Sequence, residues 1–166
     1  RRHEDYDRYI TQEVVPLVHE KNGSERGILT TGASMGGYHA GNFFFRHPDI
    51  FDTVIAISGL FRLNHFIGDY MDENVYFNSP LSYLPNLTDP AILELYRRSR
   101  IIVCAGQGAW EDEMLHDAQA LKRILEQKDI PHWVDIWGGD VNHDWPWWRK
   151  MLPYFLEKLE LPQYSA

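Results

Sequence analysis

The feature that most constrains the fold of this chain is a Gly-x-Ser-x-Gly motif at residues 32–36. An apolar run at 28–31 precedes the motif, and a segment typical of a helix follows it at once, so the predicted order is strand, tight turn, helix. In such a turn Ser34 lies on a strained bend that directs its hydroxyl out of the sheet. We expect Gly32 and Gly36 to be needed there, because a Cβ at either position would crowd the bend.

This motif also predicts a place for negative charge to develop. Met35 would be the first residue of the helix, where a backbone N–H has no intrahelical acceptor and can donate to an oxyanion. A glycine-rich loop with an incidental serine is the alternative interpretation, because the bare pattern is common. The preceding strand, the following helix and a suitable histidine further along the chain favour a catalytic serine.

Composition and charge exclude several classes of protein. The 166 residues, 44% of them hydrophobic, suffice for one domain over 1–166 with its own core. The net charge of −8 and the lack of a basic stripe argue against a nucleic-acid partner. No apolar run is long enough for a membrane span, so we expect no membrane partner. The single cysteine, Cys104, lies in an apolar run and is predicted to be a buried small hydrophobe.

The N-terminal residues, Arg1-Arg2-His3, include no Met and no apolar signal-peptide segment. We expect a processed or truncated polypeptide that is cytoplasmic, with secretion left open.

Strand and helix patterns alternate along the chain. Apolar, β-branched runs predict strands at 26–31, 53–58, 101–105 and 132–137, and periodic apolar residues predict helices at 4–20, 35–46, 90–98, 112–128 and 145–160. Pro16 and Pro153 should kink or end the helices that contain them. Residues 60–89 show a looser pattern, which predicts an irregular, cap-like insertion that shapes the specificity of a site.

This alternation predicts an α/β fold with a mostly parallel sheet covered by helices on both faces. Reactive groups in such folds gather at the carboxyl ends of the strands. Ser34 follows the first predicted strand, Glu111 and Asp112 follow the third, and His143 follows the fourth. A nucleophile, an acid and a base are therefore expected at one edge.

His143 is the preferred general base among the eight histidines. It alone lies in a glycine-flanked loop directly after the last predicted strand, where it could take the proton of Ser34. The acid is open between Glu111 and Asp112, and Asp112 could instead be a helix N-cap. Trp145 and Tyr38 are candidates to line the substrate pocket, although the tryptophans of the last helix are expected mainly to pack in the core.

Metal and nucleotide chemistry find little support. No H-E-x-x-H, CxxC or EF-hand spacing is present, and the glycine-rich turn at 32–37 has no lysine and does not match a dinucleotide-binding pattern. We therefore expect no metal and no cofactor. A serine, a histidine and an acid at one sheet edge are typical of acyl chemistry, so we expect a small-molecule ester as the substrate.

These residues resemble the α/β-hydrolase superfamily and, within it, the esterase D-like "putative esterase" family. The resemblance rests on residues 9–16 before the first strand, on the motif at 32–37 and on the acidic segment ending at 112–115. It also rests on the segment 143–145 with Trp148 and Arg149, and on 152–156. By that resemblance Ser34 is the nucleophile, Asp112 the acid, His143 the base and the N–H of Met35 one oxyanion donor.

The sequence departs from the superfamily in one respect: only a predicted helix precedes the strand that leads to Ser34. In that superfamily several strands precede the serine, and a loop among them supplies a second oxyanion donor. We therefore expect the C-terminal portion of such a hydrolase, with an exposed sheet edge that pairs with a second copy or an N-terminal partner segment. Two other functions stay open: a weak or inactive module that needs such a partner, and acyl transfer to an acceptor other than water.

Overall fold

A computed structural model describes residues 2–159 as a four-stranded parallel sheet with flanking helices. The strands, in spatial order, are β1 (Ile28–Ala33), β2 (Phe51–Ile57), β3 (Arg100–Ala105) and β4 (Trp133–Ile136). The helices are α1 (Arg2–Tyr9), α2 (Val15–Asn22), α3 (Met35–Arg46), α4 (Asn64–Ile67), α5 (Glu73–Phe77), α6 (Pro80–Tyr83), α7 (Pro90–Arg98), α8 (Asp112–Gln127) and α9 (Trp145–Lys158). Each strand pairs in parallel with the next. The predicted α/β class is confirmed.

Two hydrophobic clusters cover the two faces of the sheet. Alternate residues of a strand point to opposite faces, so Val54 and Ile55 of β2 belong to different clusters. The first cluster includes Val54 with buried residues of α3, α7 and α8, and the second includes Ile55 with Met151 and Phe155 of α9. The predicted coverage of both faces is therefore confirmed.

The first predicted helix contains one wide turn. Residues Ile10–Val14 form a π turn between α1 and α2, and the N–H of Val15 donates to the carbonyl of Ile10. Pro16 follows at the start of α2 and has no N–H to donate. The chain thus shifts its hydrogen-bond register next to the proline and continues as a helix.

Residues 60–89 form short helical elements that are joined by loops. They contain α4, α5, α6 and a single 3₁₀ turn, Leu84–Asn86. Asp72 caps α5 by accepting a hydrogen bond of 2.8 Å from the N–H of Val75. Phe61 and Leu84 are fully buried, so part of the segment belongs to the core. Whether it acts as a cap stays a prediction.

The last helix contains Pro153, and its predicted end at Glu160 lies outside the described residues. Across residues 2–159 every helix is too short or too polar to cross a membrane.

Candidate active site

Ser34 lies on the sharp turn between β1 and α3. Its φ of +57° is in the left-handed region, which non-glycine residues rarely adopt. Its N–H donates to the carbonyl of Ile57 at 2.9 Å, which continues the β1–β2 pairing past the end of β1. Since Met35 already begins α3, the serine side chain is held at the carboxyl edge of the sheet.

Close approach of backbones explains two of the glycines around this turn. A Cβ on Gly32 would lie 2.4 Å from the carbonyl carbon of Gly36, and a Cβ on Gly37 would lie 2.5 Å from the carbonyl oxygen of Ile57. A Cβ on Gly36 would meet nothing within 4 Å. The expectation that Gly36 avoids crowding is therefore wrong: the tight contact is made by its backbone against position 32, not by its own missing side chain.

Two loops bring the other site residues to the same edge. The N–H of Gly108, after β3, donates to the carbonyl of Val141 at 2.9 Å, and the N–H of His143 donates to the carbonyl of Ala109 at 2.9 Å. A Cβ on Gly106 would lie 2.2 Å from the Val141 carbonyl oxygen, so this close contact between the loops requires glycine.

The imidazole of His143 joins Ser34 to Glu111. Its Nε2 is 2.8 Å from Ser34 Oγ, and its Nδ1 is 2.8 Å from Glu111 Oε1. Glu111 is 0% exposed, and its Oε2 accepts a hydrogen bond of 2.9 Å from the N–H of Gly106. With Nδ1 protonated, the ring donates to Glu111 and leaves Nε2 free to accept the serine proton. In this arrangement a proton can pass from the Ser34 hydroxyl to the His143 imidazole, and the Glu111 carboxylate can balance the positive charge that the ring acquires.

The structure does not bring Asp112, the preferred acid, to the imidazole of His143; the alternative acid, Glu111, lies there instead. Asp112 is the exposed first residue of α8, and the carboxylate that contacts His143 belongs to Glu111. Successive residues at a helix start project about 100° apart, so only one of the two side chains can face the imidazole. The capping role considered for Asp112 is not seen either, since Glu111 occupies the N-cap position.

Strained backbone recurs along this edge. Ser34 after β1, Ser58 after β2 and Trp110 after β3 have φ values of +57°, +48° and +66°. Such conformations persist where the surrounding structure enforces them, and they concentrate at functional sites. Ser58 directly follows β2, and Trp110 lies in the loop between β3 and α8; no sequence pattern indicated a positive φ at either residue.

A cavity of about 170 Å³ opens beside Ser34 and has a mostly apolar wall. Its lining includes Met35, Tyr38, Leu60, Phe66 and Met114. The hydroxyl of Tyr38 donates to the carbonyl of Asn78 at 2.8 Å, and burial raises the pKa of this phenol, so it is neutral.

The other pocket candidate, Trp145, does not line this cavity. It is 61% exposed and packs edge-on against Trp148, with ring centroids 5.2 Å apart. Trp148 in turn meets the ring of His143, a contact that the sequence pattern did not indicate.

Within residues 2–159, no group of three or more His, Cys, Asp or Glu side chains is arranged to hold a metal ion.

Cys104 is fully buried in β3, where burial raises the pKa of its thiol and keeps it protonated.

Comparison with known proteins gives a family assignment. The family model described as "Putative esterase" matches residues 1–159. The chain belongs to this family. No curated protein matches the sequence significantly.

Solved structures similar to this esterase-family chain share its fold. A ferulic acid esterase superposes with a TM-score of 0.71 at 23% identity over 91% of the chain. A fluorophosphonate-binding serine hydrolase of Staphylococcus aureus superposes with a TM-score of 0.68 at 20% identity over 92% of the chain. An S-formylglutathione hydrolase from Agrobacterium tumefaciens superposes with a TM-score of 0.69 at 15% identity over 91% of the chain. The α/β-hydrolase fold predicted from the motifs is confirmed. The chain spans 59%, 62% and 55% of the lengths of these three proteins.

Proposed function

We propose that this chain carries the catalytic residues of a serine hydrolase that cleaves carboxylic esters through an acyl-enzyme. The observation that carries the proposal is the contact of 2.8 Å between Ser34 Oγ and His143 Nε2, with Glu111 on the opposite nitrogen. A serine hydroxyl is a weak nucleophile by itself, and an adjacent, oriented base is what activates it.

In the first half of the reaction, Ser34 Oγ attacks the ester carbonyl carbon while His143 Nε2 takes the hydroxyl proton. The carbonyl oxygen becomes an oxyanion, to which the N–H of Met35 donates. Glu111 accepts the hydrogen bond from Nδ1–H and stabilises the imidazolium. The bond to the alcohol oxygen then breaks, and His143 returns the proton to the departing alkoxide, leaving an ester on Ser34.

The second half repeats these steps with water. His143 takes a proton from water, the hydroxide attacks the acyl carbon, and the carboxylic acid leaves as Ser34 recovers its proton from His143. Because the base must be neutral to accept a proton, we expect acidification to slow both halves.

A fluorophosphonate probe tests the proposal directly, because it reacts with an activated serine. We expect mass spectrometry of the folded protein to place the label on Ser34, with no label on the Ser34→Ala or the heat-unfolded protein. Folded protein that leaves Ser34 unlabelled would remove the proposal.

One observation favours a second candidate, a module with low activity by itself. β1 pairs only with β2 among residues 2–159, so its other edge is open in the described part of the chain. Met35 is one oxyanion donor, and lack of a second donor costs about a hundredfold to a thousandfold in rate. A second copy or another polypeptide segment would then pair with β1.

Turnover of p-nitrophenyl acetate separates the two candidates. A verified monomer that hydrolyses it at the rate of a complete esterase would contradict the second candidate, whereas activity that appears only in an oligomer or with an added segment would support it. Product analysis with a competing alcohol would reveal acyl transfer.

A further inference from the structure

The hydrogen bonds of His143 leave one rotation of its ring unrestrained. Ser34 and Glu111 each contact one ring nitrogen of the imidazole at 2.8 Å. Two such bonds set the direction between the nitrogens but leave the tilt of the ring about that direction free.

Trp148 restrains this tilt. Its indole meets the imidazole of His143 at an interplanar angle of 87°, with the ring centroids 4.9 Å apart. Edge-to-face contacts of this kind are favourable and depend on orientation. An imidazole that tilts would lose the contact or collide with the indole.

Trp148 is itself anchored by a hydrogen bond. Its Nε1–H donates to Ser58 Oγ at 3.2 Å, which connects α9 to the end of β2. Ser58 borders the cavity beside Ser34 but is only 1% exposed, so few water molecules compete for the bond.

The backbone holds Ser58 rigidly. Its N–H donates to the carbonyl of Cys104 at 2.7 Å, which continues the β2–β3 pairing past the end of β2. The N–H of Ser34 continues the β1–β2 pairing in the same way. A Cβ on the next residue, Gly59, would lie 2.8 Å from the backbone of Gly37, so the chain passes directly against α3 here. The strained φ of +48° at Ser58 is enforced by these two contacts.

We propose that Trp148, anchored by Ser58, is a positioning residue that keeps the His143 imidazole turned toward Ser34. The inference rests on the proposed function. It predicts that loss of the indole–hydroxyl bond lowers the fraction of molecules with a competent imidazole, which reduces kcat and leaves substrate binding unchanged.

Two substitutions remove this bond from opposite sides. Trp148→Phe keeps an aromatic ring but lacks the N–H, and Ser58→Ala lacks the acceptor. We expect each to lower kcat and the rate of fluorophosphonate labelling about fivefold, with KM within about twofold. Trp147→Phe is the matched control, because it makes the same change one residue away on α9, and it should leave both rates unchanged.

The double variant gives a sharper test. Since both substitutions break the same bond, Ser58→Ala together with Trp148→Phe should be no slower than either alone. Losses that multiply, or a KM that rises while kcat holds, would overturn the positioning role and indicate separate packing effects.

A readout that needs no turnover separates this inference from the proposed function. The proton between His143 Nδ1 and Glu111 should give a downfield resonance, which we expect to exchange faster with water in both variants than in the wild type or Trp147→Phe. Unchanged exchange in folded variants would overturn the inference. If Ser34→Ala retained full esterase activity, the proposed function would fail. The exchange rate of the proton at His143 Nδ1 would still test whether Trp148 restrains the imidazole.

Discussion

The carboxylate of Glu111 lies 2.8 Å from Nδ1 of His143, and it does so from the residue immediately before α8. The neighbouring carboxylate of Asp112 is exposed. The two adjacent acids thus have different environments, and only the buried one contacts the imidazole.

Glu111→Gln should therefore lower kcat by about a hundredfold to ten-thousandfold, because an amide in this place favours the wrong tautomer of His143. Asp112→Asn is the matched control, and we expect its activity within about twofold of the wild type. Steady-state kinetics on a p-nitrophenyl ester measures both. The reverse ranking would reinstate Asp112 as the acid.

The two glycines of the motif should respond differently to a methyl group. Gly32→Ala places a Cβ 2.4 Å from the backbone of residue 36, and neither backbone can yield without disturbing the turn. We expect a loss of about 3 kcal/mol in the free energy of unfolding, whereas Gly36→Ala should change it by less than about 1 kcal/mol. Urea unfolding measures both, and equal losses would contradict the packing account.

Asp117 of α8 should matter for stability. Its buried carboxylate accepts hydrogen bonds from the N–H groups of Phe61 at 2.8 Å and Arg62 at 3.2 Å, which fasten α8 to the segment after β2. Asp117→Ala leaves these donors without their partner, and we expect a loss of about 3 kcal/mol. Glu113→Ala, an exposed change on the same helix, should cost less than about 1 kcal/mol. Thermal or urea unfolding distinguishes the two.

Acidification should weaken the contact between α1 and α3 through two histidines. Burial, aided by the Arg46 charge, lowers the pKa of His3, and burial lowers the pKa of His39, whose ring stacks on His3 at 5.3 Å. Glu4 and Asp7 face His3 with the opposite effect but do not outweigh it. A histidine with a lowered folded pKa binds protons more readily when unfolded, so the unfolding free energy falls as the pH drops through about 6.5.

Urea unfolding between about pH 8 and pH 5.5 tests this pH dependence. The double variant His3→Gln, His39→Gln should show a flatter profile across that window. The carboxyl of Glu4 titrates separately, because its hydrogen bond to Arg46 lowers its pKa and confines its contribution to more acidic solutions. A wild-type profile that is flat or rises on acidification would contradict the prediction.

Much of the site could be read from local pattern. The four strands, the turn at Ser34 and the loop of His143 each depend on neighbouring residues: β-branched runs, glycines and helix signals. Parallel strands then bring the residues after their carboxyl ends to one edge, so the meeting of Ser34 and His143 followed from chain order alone.

The features that the sequence could not predict depend on contacts in three dimensions. The choice of Glu111 over Asp112 depends on which of two successive side chains faces His143. The open space at Gly36 depends on how α3 leaves the turn, and the contact of Ser58 with Trp148 joins residues 90 positions apart. The sequence by itself determined the order of elements and the chemical types at the sheet edge, because these follow from short-range pattern. The tertiary structure alone decided which groups touch, because a hydrogen bond depends on distance and direction that no spacing along the chain specifies.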